Sequence, residues 1–384
     1  MQLHRRSLLG LGLVGVCELL PRKTRGEEKA AGPPAARANA VPGAEGFTVL
    51  EAAPAKTRIL ADPAAPTDTW AYNGTVPGPL LRVAKGDEVK VRLVNRLDAP
   101  TSIHWHGVRI ANAMDGVAGL TQAPVPPGGQ FDYRFRARDS GTYWYHPDVR
   151  PGGAEQVARG LYGLLIVEEP DPPQVDREFL IVLDDWPLDE SGRIAADFGK
   201  PSDPGPREPI ATHLTVNSKP PPDSITAPTG SRLRLRLVNV GRACIMPITF
   251  DNARPLIIAI DGQPCDPFEP VRRSFPIGPG ARFDVIVDLP QEDGAEARLI
   301  LRGNKDEAAG DRDILLLHSA GVARPPLPPI TSLRLNAELP AEINLQSAKR
   351  VEVALDGLAA GTTASTPEAA WTSDAAAAGL GTKP

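Results

Sequence analysis

Gly86-Asp87-Glu88-Val89-Lys90-Val91-Arg92-Leu93-Val94-Asn95 and Gly230-Ser231-Arg232-Leu233-Arg234-Leu235-Arg236-Leu237-Val238-Asn239 are two versions of one phrase, 144 residues apart in a chain of 384. Each alternates apolar and polar side chains and closes on Leu-Val-Asn, the period-two pattern of a strand that buries one face. The likeness extends outward in both directions. Asn73 and Asn217 stand at the same offset, and Pro127-Gly128-Gly129-Gln130-Phe131-Asp132 is answered 152 residues later by Pro279-Gly280-Ala281-Arg282-Phe283-Asp284. Two copies of one β domain account for this repetition. Short strands separated by Pro/Gly turns fill each copy, and 42 prolines with 36 glycines oppose long helices. The expected fold class is therefore all-β, with two tandem Greek-key β-sandwich domains.

The first domain is expected at residues 46–169 and the second at 170–322, with Asp171-Pro172-Pro173 as the hinge. Ala323-Arg324-Pro325-Pro326-Leu327-Pro328-Pro329 reads as a stiff connector of the kind that marks a domain boundary. One more alternating run, Arg350-Val351-Glu352-Val353-Ala354-Leu355, precedes an Ala/Gly/Thr-rich tail. It reads as the first strand of a third domain cut short, and a lone strand cannot bury its apolar face. Residues 323–384 are accordingly expected to be largely disordered.

The charge balance of 42 basic against 47 acidic residues, net −5, shows no basic stripe and argues against a nucleic-acid partner. At the N-terminus, Arg5-Arg6-Ser7-Leu8-Leu9 opens an apolar stretch running to Cys17. Residues 1–25 read as a twin-arginine-type export signal, too short for a membrane anchor, and 26–45 as a disordered linker. The expected location is the periplasm. Cys244 and Cys265 remain after the signal, which permits one disulfide, although two buried small hydrophobes is the plainer reading.

Three of the six histidines share one domain: His104, His106 and, 40 residues on, His146. Residues two apart on a strand face the same side, so His104 and His106 can offer two imidazoles to one space, with His146 arriving at the end of the apolar strand Gly141-Thr142-Tyr143-Trp144-Tyr145. Imidazole suits copper and zinc, and such a site should weaken below about pH 6, where imidazole holds its proton. Three structural histidines are the alternative. His213 and His318 stand alone in the sequence.

The order of short motifs narrows the choice. Asn73-Gly74-Thr75-Val76-Pro77-Gly78-Pro79, His104-Trp105-His106-Gly107, Met114-Asp115-Gly116-Val117, Leu120-Thr121-Gln122 and Gly141-Thr142-Tyr143-Trp144-Tyr145-His146 together resemble the multicopper oxidase family across nearly all of residues 46–322. The resemblance implies cupredoxin-like (plastocyanin-like) domains, copper as cofactor and an oxidoreductase ancestry with dioxygen as acceptor. It implies that His104 is a type 2 copper ligand and that His106 and His146 are type 3 ligands.

The departures matter as much. Where the family has His-Ser-His, this chain reads His146-Pro147-Asp148, so a hard carboxylate or a plain solvated loop residue stands in a ligand position. Ile248 and Phe250 occupy the second repeat's positions 144 residues after His104 and His106. The family's third domain supplies a His-Cys-His segment with the type 1 copper thiolate, and no such segment occurs in this sequence. The expectation is a truncated relative with part of a trinuclear site and no self-sufficient oxidase turnover. A non-catalytic periplasmic scaffold is the alternative, and an enzyme completed by a third domain from another chain ranks last.

Overall fold

The computed structural model describes residues 46–195, 212–242, 244–303 and 310–340, with short pieces at 41–42, 345–346, 348–350, 355–356 and 372–373. The expected export signal, nearly all of the linker, most of the alternating run at 350–355 and most of the tail lie outside the described residues.

The first half contributes β1 (Val41–Pro42), β2 (Thr48–Thr57), β3 (Thr67–Tyr72), β4 (Leu81–Ala84), β5 (Glu88–Asn95), β6 (His104–His106), β7 (Gln130–Arg136), β8 (Gly141–His146) and β9 (Gly163–Glu168), with one short helix, α1 (Gly153–Ala158), after β8. The second half contributes β10 (Arg177–Pro187), β11 (Thr212–Val216), β12 (Asp223–Pro228), β13 (Arg232–Asn239), β14 (Met246–Asp251), β15 (Pro255–Ile260), β16 (Gln263–Phe268), β17 (Ser274–Ile277), β18 (Arg282–Asp288), β19 (Glu296–Leu301) and β20 (Arg312–Ala320). Leu355–Asp356 and Thr372–Ser373 pair as two further two-residue strands.

The repeat read in the sequence is a repeat of topology. In the first sandwich β2 pairs β3, runs parallel to β5, and β5 pairs β7; in the second, β10 pairs β11, runs parallel to β13, and β13 pairs β18. The facing sheets are ordered β4-β9-β8-β6 and β12-β20-β19-β14-β17, so β6 and β14 hold the same place. Between the sheets of the first sandwich, Leu50, Val89, Val91, Leu93, Trp105, Tyr133 and Tyr145 form one core; Ile181, Leu233, Leu235, Leu237, Ile248, Phe250 and Leu299 form that of the second.

The one-buried-face expectation holds for β5 and fails for β13. Leu233, Leu235 and Leu237 enter the core, but Arg232, Arg234 and Arg236 on the opposite face are buried as well. That face meets the first domain. The Asp284 carboxylate, on the strand facing Arg236, accepts from Arg236 Nη1 at 2.8 Å, from Arg234 Nη2 and from Thr142 Oγ1 of the first sandwich at 2.7 Å. Glu169 and Glu178 pair with the same guanidiniums from the linker side. A smaller apolar seam of Trp144, Tyr162, Leu164, Val182, Val238 and Val240 completes the contact between the domains.

The expectation of a largely disordered connector does not hold for residues 323–340, which strap both domains together. Arg232 Nη1 donates to the Pro328 carbonyl at 2.6 Å, and Asn336 Nδ2 donates to Asp139 Oδ1 of the first sandwich at 2.6 Å. Glu338 pairs with Arg138 and Arg109. These polar contacts, rather than apolar surface, order a segment that the sequence shows only as proline-rich. Cys244 is exposed and Cys265 half-buried, which corrects the buried-hydrophobe reading, and the two are not joined by a disulfide.

Candidate metal centre

The three histidines of the first domain meet. β6 and β8 pair antiparallel with His104 opposite His146 and His106 opposite Trp144. Trp105, between the two histidines, points inward and is fully buried, so alternation turns both imidazoles to the other face. The ligand-capable nitrogens of His104, His106 and His146 lie within 4.8 Å of one another, and they are the sole group of three or more His, Cys, Asp or Glu ligands of this kind among the described residues.

Hydrogen bonds fix which nitrogen each ring presents. A carbonyl can only accept, so the 2.9 Å contact of His104 Nδ1 with the Asp115 carbonyl puts a proton on Nδ1 and leaves the Nε2 lone pair free. The Asp115 carboxylate stands 3.3 Å from the same nitrogen. His146 Nδ1 donates to the Pro147 carbonyl at 2.9 Å, again freeing Nε2. That nitrogen accepts from His106 Nδ1 at 3.2 Å, and once the His106 proton moves to its other nitrogen, two nitrogens so spaced can both reach one ion at an imidazole–metal length of about 2.0–2.1 Å. His106 thus offers its other nitrogen, Nδ1.

The reason lies in the second domain. Gly280, at φ +77°, closes over the far edge of His106, where an added Cβ would stand 3.0 Å from Cε1 and 3.2 Å from Nε2. Trp144 covers the rings from the side, 4.9 Å from His106 and 4.1 Å from His146 between centroids. Gly116, at φ +80°, is required for a similar reason. A Cβ there would overlap the Ile103 carbonyl, and this close crossing brings the Asp115 carbonyl to His104.

The electrostatics favour neutral rings. Burial, then the proximity of His146, Arg282 and His104, lowers the His106 pKa to about 3. Burial lowers that of His146 to about 4, the Pro147 hydrogen bond opposing and His104 adding to the effect. Proton competition at this pair therefore begins well below the pH 6 expected from free imidazole. Neutral, pre-oriented nitrogens on two paired strands are a donor set that copper or zinc fits.

Asp148 does not join the cluster of three histidines: its amide donates to Ser102 Oγ at 3.1 Å, and its carbonyl receives the Ala118 amide at 2.9 Å. The position-for-position match of Ile248 and Phe250 to His104 and His106 needs correction. Ile248 and Phe250 point into the core, as Trp105 does, so the outward histidine face corresponds to Thr249 and Asp251 on β14. The repeat offset changes from 144 to 152 between these motifs, and a one-residue slip exchanges the two faces of a strand. Either register leaves the second domain without a histidine there, and Asp251 pairs with Arg298. His213 lies opposite Trp186 on β11, and His318 Nδ1 is 3.5 Å from Glu296. The parts that sequence reasoning missed are Gly280 and Arg282, known from the sequence only as members of the repeated Pro-Gly-x-x-Phe-Asp phrase.

The sequence patterns that define the multicopper oxidase family match residues 55–172 and 177–297. Copper resistance protein A of Pseudomonas syringae pv. tomato is 33% identical over 304 residues, 67% of this chain and 48% of that protein. Multicopper oxidase MmcO of Mycobacterium tuberculosis is 34% identical over 249 residues, 57% of this chain and 47% of that one. The chain thus spans about half the length of these relatives. Among solved structures, a multi-copper oxidase from Pseudomonas thermotolerans superposes with a TM-score of 0.68 at 34% identity, over 79% of this chain and 70% of that one. Blue copper oxidase from Nitrosomonas europaea does so with a TM-score of 0.60 at 30% identity, over 71% and 85%.

Proposed function

The chain belongs to the multicopper oxidase family, and from that premise we propose that it binds copper in its first sandwich through His104 Nε2, His106 Nδ1 and His146 Nε2. The observation that carries this reading is the fixed tautomers: two rings spend their Nδ1 protons on carbonyls and turn lone pairs toward the third. Copper, when bound, would supply one-electron redox chemistry.

The chain's own residues prepare the site. The Asp115 and Pro147 carbonyls orient His104 and His146, while Gly280 and Trp144 exclude water from two sides of His106. His106 and His146 are neutral at neutral pH, so binding requires only that the His106 proton leave Nδ1 for Nε2, with no net proton release. We read the role as that of a copper-binding oxidoreductase-family protein with a partial trinuclear site. Neither cysteine has a histidine neighbour in the sequence, and no His-Cys-His occurs in it, so these residues by themselves provide no thiolate copper centre to accept electrons from a reducing substrate. The isolated polypeptide is therefore not expected to turn over phenols or cuprous ion. A copper-free scaffold is the weaker reading, because a scaffold has no use for three convergent imidazoles, two of them held by carbonyls with Nε2 facing the third.

Cupric ion titrated into the wild type and into a His104→Ala, His106→Ala double variant tests the site. Saturable binding by the wild type alone is expected, and equal binding by both would remove the proposal. The twin-arginine pattern at Arg5-Arg6 supports export to the periplasm; a paired lysine substitution there should retain the protein in the cytoplasmic fraction.

A further inference from the structure

Arg282 is a buried cation from the second domain at the wall of the histidine site. Its side chain is 4% exposed, and all three of its donating edges end on carbonyls. Nε donates to Thr142 of β8 at 2.9 Å, Nη1 to Gly280 at 2.8 Å and Nη2 to Asp261 at 2.9 Å. Asp261, the carboxylate within ion-pair reach among the described residues, is 3.7 Å away and 56% exposed, so its compensation is screened by water. The guanidinium lies against Gly107, the residue after His106, leaving no room there for a Cβ. The same Gly280 whose carbonyl it holds faces the edge of His106, with room there for no side chain larger than glycine's.

We propose that Arg282 is a positioning residue of the copper site, holding His106 with Nδ1 toward His146 through Gly280, and biasing the site by its fixed charge toward the less charged copper state. The proposal rests on the copper reading above. Its first half follows from the fork: three carbonyls, two from the second domain and one from β8, are tied at one point, so the loop over His106 cannot move without breaking them. Its second half follows from Coulomb's law, since a buried positive charge opposes cupric ion more than cuprous ion, and a low local dielectric keeps the difference large.

The test is a pair of affinities, measured anaerobically with cupric sulfate and with cuprous ion held in a chelator buffer. Arg282→Met should strengthen cupric relative to cuprous binding by about tenfold or more, the size expected for one charge within about 12 Å at an effective dielectric of about 20. That is a fall of about 59 mV in the one-electron potential. Arg282→Lys keeps the charge but not the fork, so it should weaken both ions alike with the potential near the wild-type value. Asp261→Asn, at an exposed and water-screened position, should move the potential far less than Arg282→Met does. In the copper-free protein, nitrogen resonances of the His106 ring should shift in both Arg282 variants and stay in place in Asp261→Asn. Equal changes for the two ions in Arg282→Met, or a potential moved as far by Asp261→Asn as by Arg282→Met, would overturn the charge bias; unshifted His106 resonances in Arg282→Lys would overturn the positioning role. Failure of the wild type to bind either ion would bring down the copper reading itself, and this proposal with it.

Discussion

Replacing Asp284 by Asn should loosen the contact between the two domains. The carboxylate is 2% exposed and receives Arg236 Nη1, Arg234 Nη2 and Thr142 Oγ1, so it stands at the meeting of both domains. Arg234 and Arg236 are themselves 2% and 1% exposed. Asn keeps the shape and removes the charge, leaving two buried guanidiniums short of one counter-ion. Removing one partner of a buried ion pair costs about 3–5 kcal/mol. Glu169 and Glu178 still pair with these arginines, so the lower end, about 3 kcal/mol, is expected here. That is a large part of the 5–15 kcal/mol typical of a folded domain. Urea unfolding followed by circular dichroism measures it. The effect carries a pH signature: burial alone would raise the Asp284 pKa, but Arg236 and Arg234 outweigh it and hold the carboxyl below its ordinary value. The unfolded chain, titrating near pH 3.9, then takes up the proton first, so the charge's stabilisation is whole above about pH 4 and fades as pH falls through the folded pKa. A loss under about 1 kcal/mol at pH 7 would refute the view that this charge cluster holds the domains together.

Three other outcomes follow from the site and the strap. Gly116→Ala places a Cβ in the Ile103 carbonyl and a non-glycine residue at φ +80°, so copper affinity should fall by about 10–100-fold, as when other groups that orient a ligand are lost; unchanged affinity in a titration would separate Asp115 from the orientation of His104. With His106 at about 3 and His146 at about 4 in the folded chain against about 6.5 unfolded, acidification from pH 6.5 toward 4 protonates only the unfolded chain and lowers stability. Gln at both positions should flatten that slope in urea unfolding curves across the window, and an unaltered slope would contradict the assignment. Asn336→Ala removes one of the bonds to the buried Asp139 carboxylate, which keeps its paired bonds from Arg109, so a loss of about 1 kcal/mol and faster protease cutting near residue 336 are expected; wild-type cutting rates would show that the strap is held elsewhere.

The sequence by itself determined the β class, the two-fold repeat and the histidine set, because these rest on local periodicity. Alternation along Glu88–Asn95 dictates a strand whichever neighbours it meets, and His-x-His on a strand dictates two rings on one side. Only the tertiary structure decided what the other faces do. Arg232, Arg234 and Arg236 read as a solvated edge and are buried, because the second sandwich turns that face toward Thr142 and Glu169 of the first half. Ile248 and Phe250 shared an offset with the histidines but not a face, because the loops between strands changed length and the pleat exchanges sides with each residue. The edge of His106 away from His146 lies against Gly280, 174 residues along the chain, and a contact that distant leaves no trace in local pattern.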